Sequence, residues 1–306
     1  MSILKSTNKL TIAVSSRALF DLETENNIFE EKGLDAYYAY QLEHEESILN
    51  KGTGYRLVEN LLKINEKFPK DERKVEVLIL SKNNAATSLR ISNSIKKMNL
   101  DIIRSGWTSG RDISHYLKAF KVDLFLSADE KDVSKALSNG FAAAKILPTT
   151  DKDIYTTLGD QVRIAFDGDA VLFDEESELI YKKHGLDAFL KHEINNRNNP
   201  LKKGPFAKFL LTISEFQKYF NENDLPIRTA LITARSAPSD ERVIKTLNIW
   251  GVRIDEAFFL GGNEKSEVLK AFGADIFFDD QDIHLHKSLS VVPSAKVINK
   301  NIEKNI

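Results

Sequence analysis

Val162-Arg163-Ile164-Ala165-Phe166-Asp167-Gly168-Asp169 opens as a short apolar run and closes on two carboxylates two residues apart. Val162–Phe166 is too short and too apolar on both alternating faces for an exposed strand, so it reads as a strand buried on both sides. The same text occurs earlier in the chain. Ile164-Ala165 repeats Ile12-Ala13 at a distance of 152 residues (164 − 12), Gly185-Leu186-Asp187-Ala188 repeats Gly33-Leu34-Asp35-Ala36, and Lys270-Ala271-Phe272 repeats Lys118-Ala119-Phe120, both at the same distance. A constant offset across most of both halves predicts an internal duplication of a whole domain.

Working outward, Leu10–Val14, Val75–Leu80, Leu124–Leu126, Thr229–Ile232, Ala257–Leu260 and Ile276–Phe278 are further short apolar runs. Between them, Tyr55–Phe68, Ser88–Met98, Phe206–Phe220 and Asp240–Trp250 carry helical periodicity. Buried strands alternating with amphipathic helices predict an α/β fold: two Rossmann-like halves with parallel sheets. The expected boundary falls in the polar stretch Pro148–Asp160, after an Ala-rich segment read as a helix. This gives domains 1–150 and 151–306. The segment from about 175 to 226 is too long for a simple strand connection and is expected to form a cap over the strand ends, with an exposed loop at Asn195–Pro200. The polar tail from Asn299 is expected to fray.

Composition narrows the function classes. The 306 residues are 42% hydrophobic, enough for two cores, and the formal net charge is −2. That balance supplies no general attraction to nucleic acid or to an anionic membrane. There is no cysteine, which excludes disulfides, thiol catalysis and thiolate zinc sites. No apolar stretch approaches the roughly 20 residues of a membrane helix, and the polar start Met1 to Lys9 lacks the apolar core of a signal peptide. A cytoplasmic protein is expected.

In parallel α/β sheets ligands bind beyond the carboxyl ends of the strands, and the ionisable groups of the second half gather there. Asp167 and Asp169 follow one strand, Thr233-Ala234-Arg235 another, and Asp279-Asp280 a third, with Lys265 at a helix start. Carboxylate pairs that repel one another call for a cation, and an all-oxygen ligand set suits Mg²⁺. Gly168 is expected to let the backbone turn between the two acids. A hydroxyl, backbone amides and the Arg235 fork suit a phosphoryl group, although Thr and Arg at a strand end also cap helices. His284-Leu285-His286 has the spacing of one strand face and is read as structural.

The order Asp-x-Asp, Thr, Lys, Asp-Asp resembles the haloacid dehalogenase phosphohydrolase superfamily. Ala165-Phe166-Asp167-Gly168-Asp169-Ala170-Val171-Leu172-Phe173, Ile232-Thr233-Ala234-Arg235-Ser236 and Phe277-Phe278-Asp279-Asp280-Gln281 are similar to the cytosolic 5′-nucleotidase type I family. Val14-Ser15-Ser16-Arg17-Ala18-Leu19-Phe20-Asp21 and Asp123–Ala128 extend the resemblance to the first half. The resemblance implies a nucleoside 5′-monophosphate substrate, AMP-like and with deoxy forms included. It implies that Asp167 is the nucleophile and Asp169 the general acid and base. Mg²⁺ would be held by Asp167, Asp169 through its backbone carbonyl, Asp279 and Asp280. The phosphoryl group would be bound by Thr233, Ala234, Arg235 and Lys265. A phosphatase of another small phosphomonoester, such as a sugar phosphate, and a non-enzymatic phospho-receiver are the alternatives.

The first half has lost this equipment. At the aligned positions it carries Ser15, Arg17, Ser81, Ile113, Ser127 and Ala128, so it is expected not to hydrolyse phosphate esters. Arg17 in place of an acid, with Ser15 and Lys82 nearby, is compatible with a site for a regulatory nucleotide or for part of the substrate. Self-association is likewise compatible with the sequence.

Overall fold

The computed structural model describes residues 9–149, 159 and 161–299. The chain divides into two compact units between Phe141 and Ala142, ahead of the expected boundary at 150. Most of the stretch Pro148–Asp160 and all but the first residue of the tail from Asn299 lie outside the described residues.

The first unit contains β1 (Leu10–Val14), β2 (Phe20–Asp21), β3 (Asn50–Lys51), β4 (Val75–Ser81), β5 (Arg104–Trp107) and β6 (Leu124–Ser127). β1 pairs in parallel with β4 on one side and β6 on the other, and β4 pairs in parallel with β5. β2 and β3 form a small antiparallel pair. The second unit contains β7 (Ala142–Ile146), β8 (Val162–Phe166), β9 (Ile227–Thr233), β10 (Glu256–Phe259), β11 (Ile276–Asp279) and β12 (Ser294–Lys296). Its order is β10-β9-β8-β11-β12-β7. All neighbours run parallel except β7, which is antiparallel to β12. An antiparallel member in an otherwise parallel sheet is a frequent mixture.

The 152-residue offset holds strand by strand. β1, β4, β5, β6 and β7 start at residues 10, 75, 104, 124 and 142, and β8 to β12 start at 162, 227, 256, 276 and 294. The repeated Gly-Leu-Asp-Ala has a local cause. Glu23–Glu43 and Glu176–Asn195 are each helical on both sides of a kink, and the kink residue is Gly33 (φ 81°) in one and Gly185 (φ 78°) in the other. Only glycine adopts that backbone without penalty.

Three local expectations are corrected. Ala142–Ile146 is a strand, not a helix: Ala143 and Ala144 are fully buried, and pairing with β12 overrides alanine's high helical propensity, which is worth under about 1 kcal/mol per residue. His284 and His286 lie on the helix Asp282–Ser288, not on a strand. The left-handed residue after Asp167 is Ala170 (φ 61°), whereas Gly168 is absent from the positive-φ residues. Gly168 serves by size instead, since a Cβ there would come within 3.2 Å of Thr233 Oγ1.

Only part of the segment from 175 to 226 stands over the strand ends. Helix Ala207–Gln217 packs onto the sheet, with Phe209 and the preceding Phe206 fully buried. Phe166 stacks on Phe278 at 5.6 Å between ring centres, and Phe206 lies 4.7 Å from Phe278. This aromatic core anchors the two strands that carry Asp167 and Asp279. Among the described residues no helix is long and apolar enough to cross a membrane.

Candidate active site

The carboxyl ends of β8, β9 and β11 bring the sequence-predicted residues together. Asp167 leaves β8 with its N–H donated to the Phe278 carbonyl (2.8 Å). Asp279 ends β11, and the Gln281 N–H donates to its Oδ1 (2.8 Å). Carboxylate oxygens of Asp167, Asp279 and Asp280 lie within 4.8 Å of one another, and all three residues are buried. Lys265 immediately precedes helix Ser266–Phe272. Its buried ammonium donates to Asp167 Oδ1 and Asp279 Oδ2, both at 2.7 Å. Thr233, at the end of β9, is buried beside them.

One ammonium does not balance this cluster. Burial pushes the Asp167 carboxyl up to about 6, with Lys265 opposing the shift and Asp279 adding to it. Burial also raises Asp279. Asp280 rises well above the usual carboxylate range through burial and then the negative charges of Glu178 and Asp279. Burial disfavours the Lys265 ammonium, but Asp167 and Asp279 outweigh it and keep the group charged. Asp280 Oδ1 is buried without a hydrogen-bond partner. Three buried carboxylates, one with an orphaned oxygen, are the donor set a hard divalent cation takes. The residues present therefore fit Mg²⁺.

Asp169 and Arg235 are arranged differently from expectation. Arg235 directs its fork at carboxylates. Nε and Nη2 donate to the two oxygens of Asp169 at 2.8 and 2.7 Å, and Nη1 donates to Glu193 at 2.5 Å. Arg242 donates to the other Glu193 oxygen at 2.9 Å, as does Ser177 at 2.8 Å. The Glu193 side chain is fully buried. This network ties Asp169 to the kinked helix Glu176–Asn195. Ala234 lines the same cleft.

The cleft has a volume of about 380 Å³, within the usual range for small-molecule sites. Its far wall comes from the kinked helix: Tyr181, Leu186, Phe189 and Leu190. Glu178, from the same helix, accepts from Gln281 (3.1 Å) and pairs with Lys182 (2.8 Å). Burial raises its carboxyl. His284 faces the cleft, and burial followed by the charge on Lys265 lowers its imidazole to about 4. Sequence reasoning missed Glu178, Glu193, Arg242 and the wall residues. For all but Arg242, which lies on helix Asp240–Trp250, the spacing along one helix, 178, 181, 182, 186, 189 and 193, was the available signal.

Ser15, Arg17 and Lys82 line a separate cleft in the first unit. Ser15 Oγ accepts from the Ala18 N–H (3.2 Å). Arg17 pairs with Glu23 (2.9 Å), and Lys82 sits between Asp129 (3.2 Å) and Asp132 (2.7 Å).

The 5′-nucleotidase family model matches residues 2–304. Human cytosolic 5′-nucleotidase 1B is 40% identical over 290 residues, covering 92% of this chain. The chain spans 47% of that relative's length. No solved structure matches. The match over nearly the whole length, together with the acidic cluster at the strand ends, establishes that the chain belongs to the 5′-nucleotidase family.

Proposed function

We propose that the protein is an Mg²⁺-dependent 5′-nucleotidase that hydrolyses nucleoside 5′-monophosphates, AMP-like and deoxy forms included, through an aspartyl-phosphate. The buried trio Asp167, Asp279 and Asp280, bridged by Lys265, carries this reading. Asp167 attacks phosphorus, forming a carboxyl O–P bond as the bond to the 5′-oxygen breaks. Asp169 gives its proton to the leaving oxygen and then takes one from the water that cleaves the acyl phosphate. Splitting one displacement into two lowers each barrier. Thr233, the backbone at Ala234 and Lys265 hold the transferring oxygens, whose charge grows in the transition state. Asp167, the Asp169 carbonyl and Asp279, with Asp280 direct or through water, would hold Mg²⁺, which would supply positive charge to offset the charge growing on the phosphoryl group. Arg235 acts through Asp169 rather than on phosphate, because its fork is occupied by carboxylates.

The rings of Tyr181 and Phe189 on the cleft wall suit a nucleoside better than a bare sugar phosphate. The constant strand offset supports a duplicated origin, with the first unit a non-catalytic copy and the kinked helix Glu176–Asn195 the working part of the cap. We further propose a cytoplasmic location, in keeping with the relative's name.

The test is phosphate release from AMP, CMP, their deoxy forms and glucose 6-phosphate, with Mg²⁺ and after rigorous metal removal. Turnover confined to the nucleotides, abolished by EDTA and restored by Mg²⁺, supports the reading. Preferential hydrolysis of the sugar phosphate, or undiminished turnover without metal, refutes it.

A further inference from the structure

The two clefts are built from the same positions. Every residue lining the catalytic cleft except Leu190 has a counterpart 152 positions earlier that lines the cleft of the first unit. The first-unit cleft is the larger, at about 530 Å³.

What differs is which end has been rewritten. The wall contributed by the kinked helix keeps its apolar members, although Glu30 stands where the second unit has Lys182 and Asn26 where it has Glu178. Phe29 stands where the second unit has Tyr181, Leu34 where it has Leu186, and Tyr37 where it has Phe189. At the strand ends, Ser15, Ser127 and Ala128 replace the three clustered carboxylates, and Ile113 replaces the bridging Lys265. Both cations in the lining are already paired, Arg17 with Glu23 and Lys82 with Asp129 and Asp132. With Glu25 and Glu30 also in the lining, acids outnumber cations. An anion entering here would compete with these carboxylates for both cations, while Glu25 is itself paired with Arg90 (2.6 Å).

The strand ends instead present neutral hydrogen-bonding groups. Ser16 Oγ lies 3.0 Å from Ser81 Oγ, and Ser81 donates to Asn83 Oδ1 at 2.7 Å. Asn83 Nδ2 donates to the Tyr37 hydroxyl at 2.7 Å. Such a web can exchange partners with the hydroxyls of a ligand without a net charge to neutralise. Phe29 and Leu34, 44% and 59% exposed, offer an accessible apolar face beside it.

We propose that the first-unit cleft is a second ligand site that binds an uncharged nucleoside, with the base against Phe29 and the sugar hydroxyls at the Ser16–Ser81–Asn83 web. The choice of a nucleoside rests on the reading of the catalytic cleft as a nucleotide site, since the shared wall is what the two clefts have in common. The ligand is then of the same class as the product released in the second unit.

Calorimetric titration of the full Mg²⁺-loaded chain with adenosine and with cytidine tests this. The comparison is among wild type, Phe29→Ala, Leu34→Arg and the catalytic-wall variant Tyr181→Ala. Both first-unit side chains are exposed enough that replacing them leaves the core intact, and unchanged turnover of p-nitrophenyl phosphate verifies it. At least one nucleoside should bind wild type and Tyr181→Ala, and should bind Phe29→Ala about tenfold more weakly, the loss expected for a stacked base. Leu34→Arg, which crowds the mouth, should weaken it further. If neither nucleoside shows a binding component that falls in both first-unit variants, the proposal is wrong. It is also wrong if AMP or CMP, titrated into Asp167→Asn to prevent turnover, binds the Phe29-dependent site more tightly than the matching nucleoside. If the enzyme fails to hydrolyse nucleotides while the Phe29-dependent component persists, the catalytic reading falls and the second site stands.

Discussion

Replacing Arg235 with alanine removes a group that joins Asp169 to the kinked helix. In the native protein its guanidinium is buried, doubly bonded to Asp169 and singly to Glu193. Its charge is strongly retained: burial works against it, but Asp169 and Glu193 outweigh burial. Without it, Glu193 keeps Arg242 and Ser177, with His192 Nε2 at 4.0 Å, and Asp169 loses both fork contacts. Breaking a buried pair by deleting one partner costs about 3–5 kcal/mol, because the remaining charge stays desolvated. For a domain of this size each kcal/mol moves the midpoint by about 2–4 °C, so the second unit should melt roughly 6–20 °C lower. Scanning calorimetry reads this directly. Arg235→Lys, which restores the charge without the planar fork, should recover part of the loss. Lys218→Ala, which breaks an exposed pair with Glu215, should shift the midpoint little. A midpoint in Arg235→Ala equal to that of Lys218→Ala would refute the inference that this network ties helix Glu176–Asn195 to Asp169.

Three further outcomes follow from the same geometry. Asp169→Asn should lower kcat by about 10²–10⁴-fold while leaving the fold intact, and a near-normal kcat would remove Asp169 from proton transfer. The folded-state carboxyl of Asp167 is raised to about 6, so its contribution to stability is full below its unfolded value and is lost as pH rises through about 6. Metal-free wild type should therefore gain about 1 kcal/mol relative to Asp167→Asn on going from about pH 7.5 to 5. An unchanged gap in urea melts would contradict the raised value. Ser15→Ala should leave kcat on AMP unchanged, because the first unit lacks the other carboxylates; a loss like that of Asp167→Ala in a folded protein would show both units to be catalytic.

Most of the strand framework is legible because parallel strands buried on both faces leave short apolar runs between the helical stretches. Asp167, Thr233 and Asp279 are legible for a related reason: each is polar where an apolar run stops, whereas Lys265 is legible by its place at a helix start after Gly261-Gly262-Asn263-Glu264. Ala142–Ile146 is illegible, since three alanines carry a helical preference and only the partner strand β12 reveals otherwise. The pairing of Arg235 with Asp169 is equally hidden. It depends on Glu193, which sits 42 positions earlier on a helix whose path is set by a glycine kink. Glu178 and Tyr181 look like ordinary residues of an amphipathic helix until that kink turns them over the strand ends. The offset of 152 carries more than the motifs do, because it predicts which cleft residues have counterparts and which have lost their charge.

If Asp167 carries the phosphoryl group between substrate and water, the protein is labelled there within one turnover. The direct measurement mixes the Mg²⁺-loaded protein with AMP labelled with ³²P, quenches in acid within the first turnover, and maps the labelled peptide by mass spectrometry. The account predicts an acid-stable, hydroxylamine-labile label on Asp167 in wild type and none in Asp167→Asn. Label on any other residue, or hydrolysis in Asp167→Asn at the wild-type rate, would contradict it.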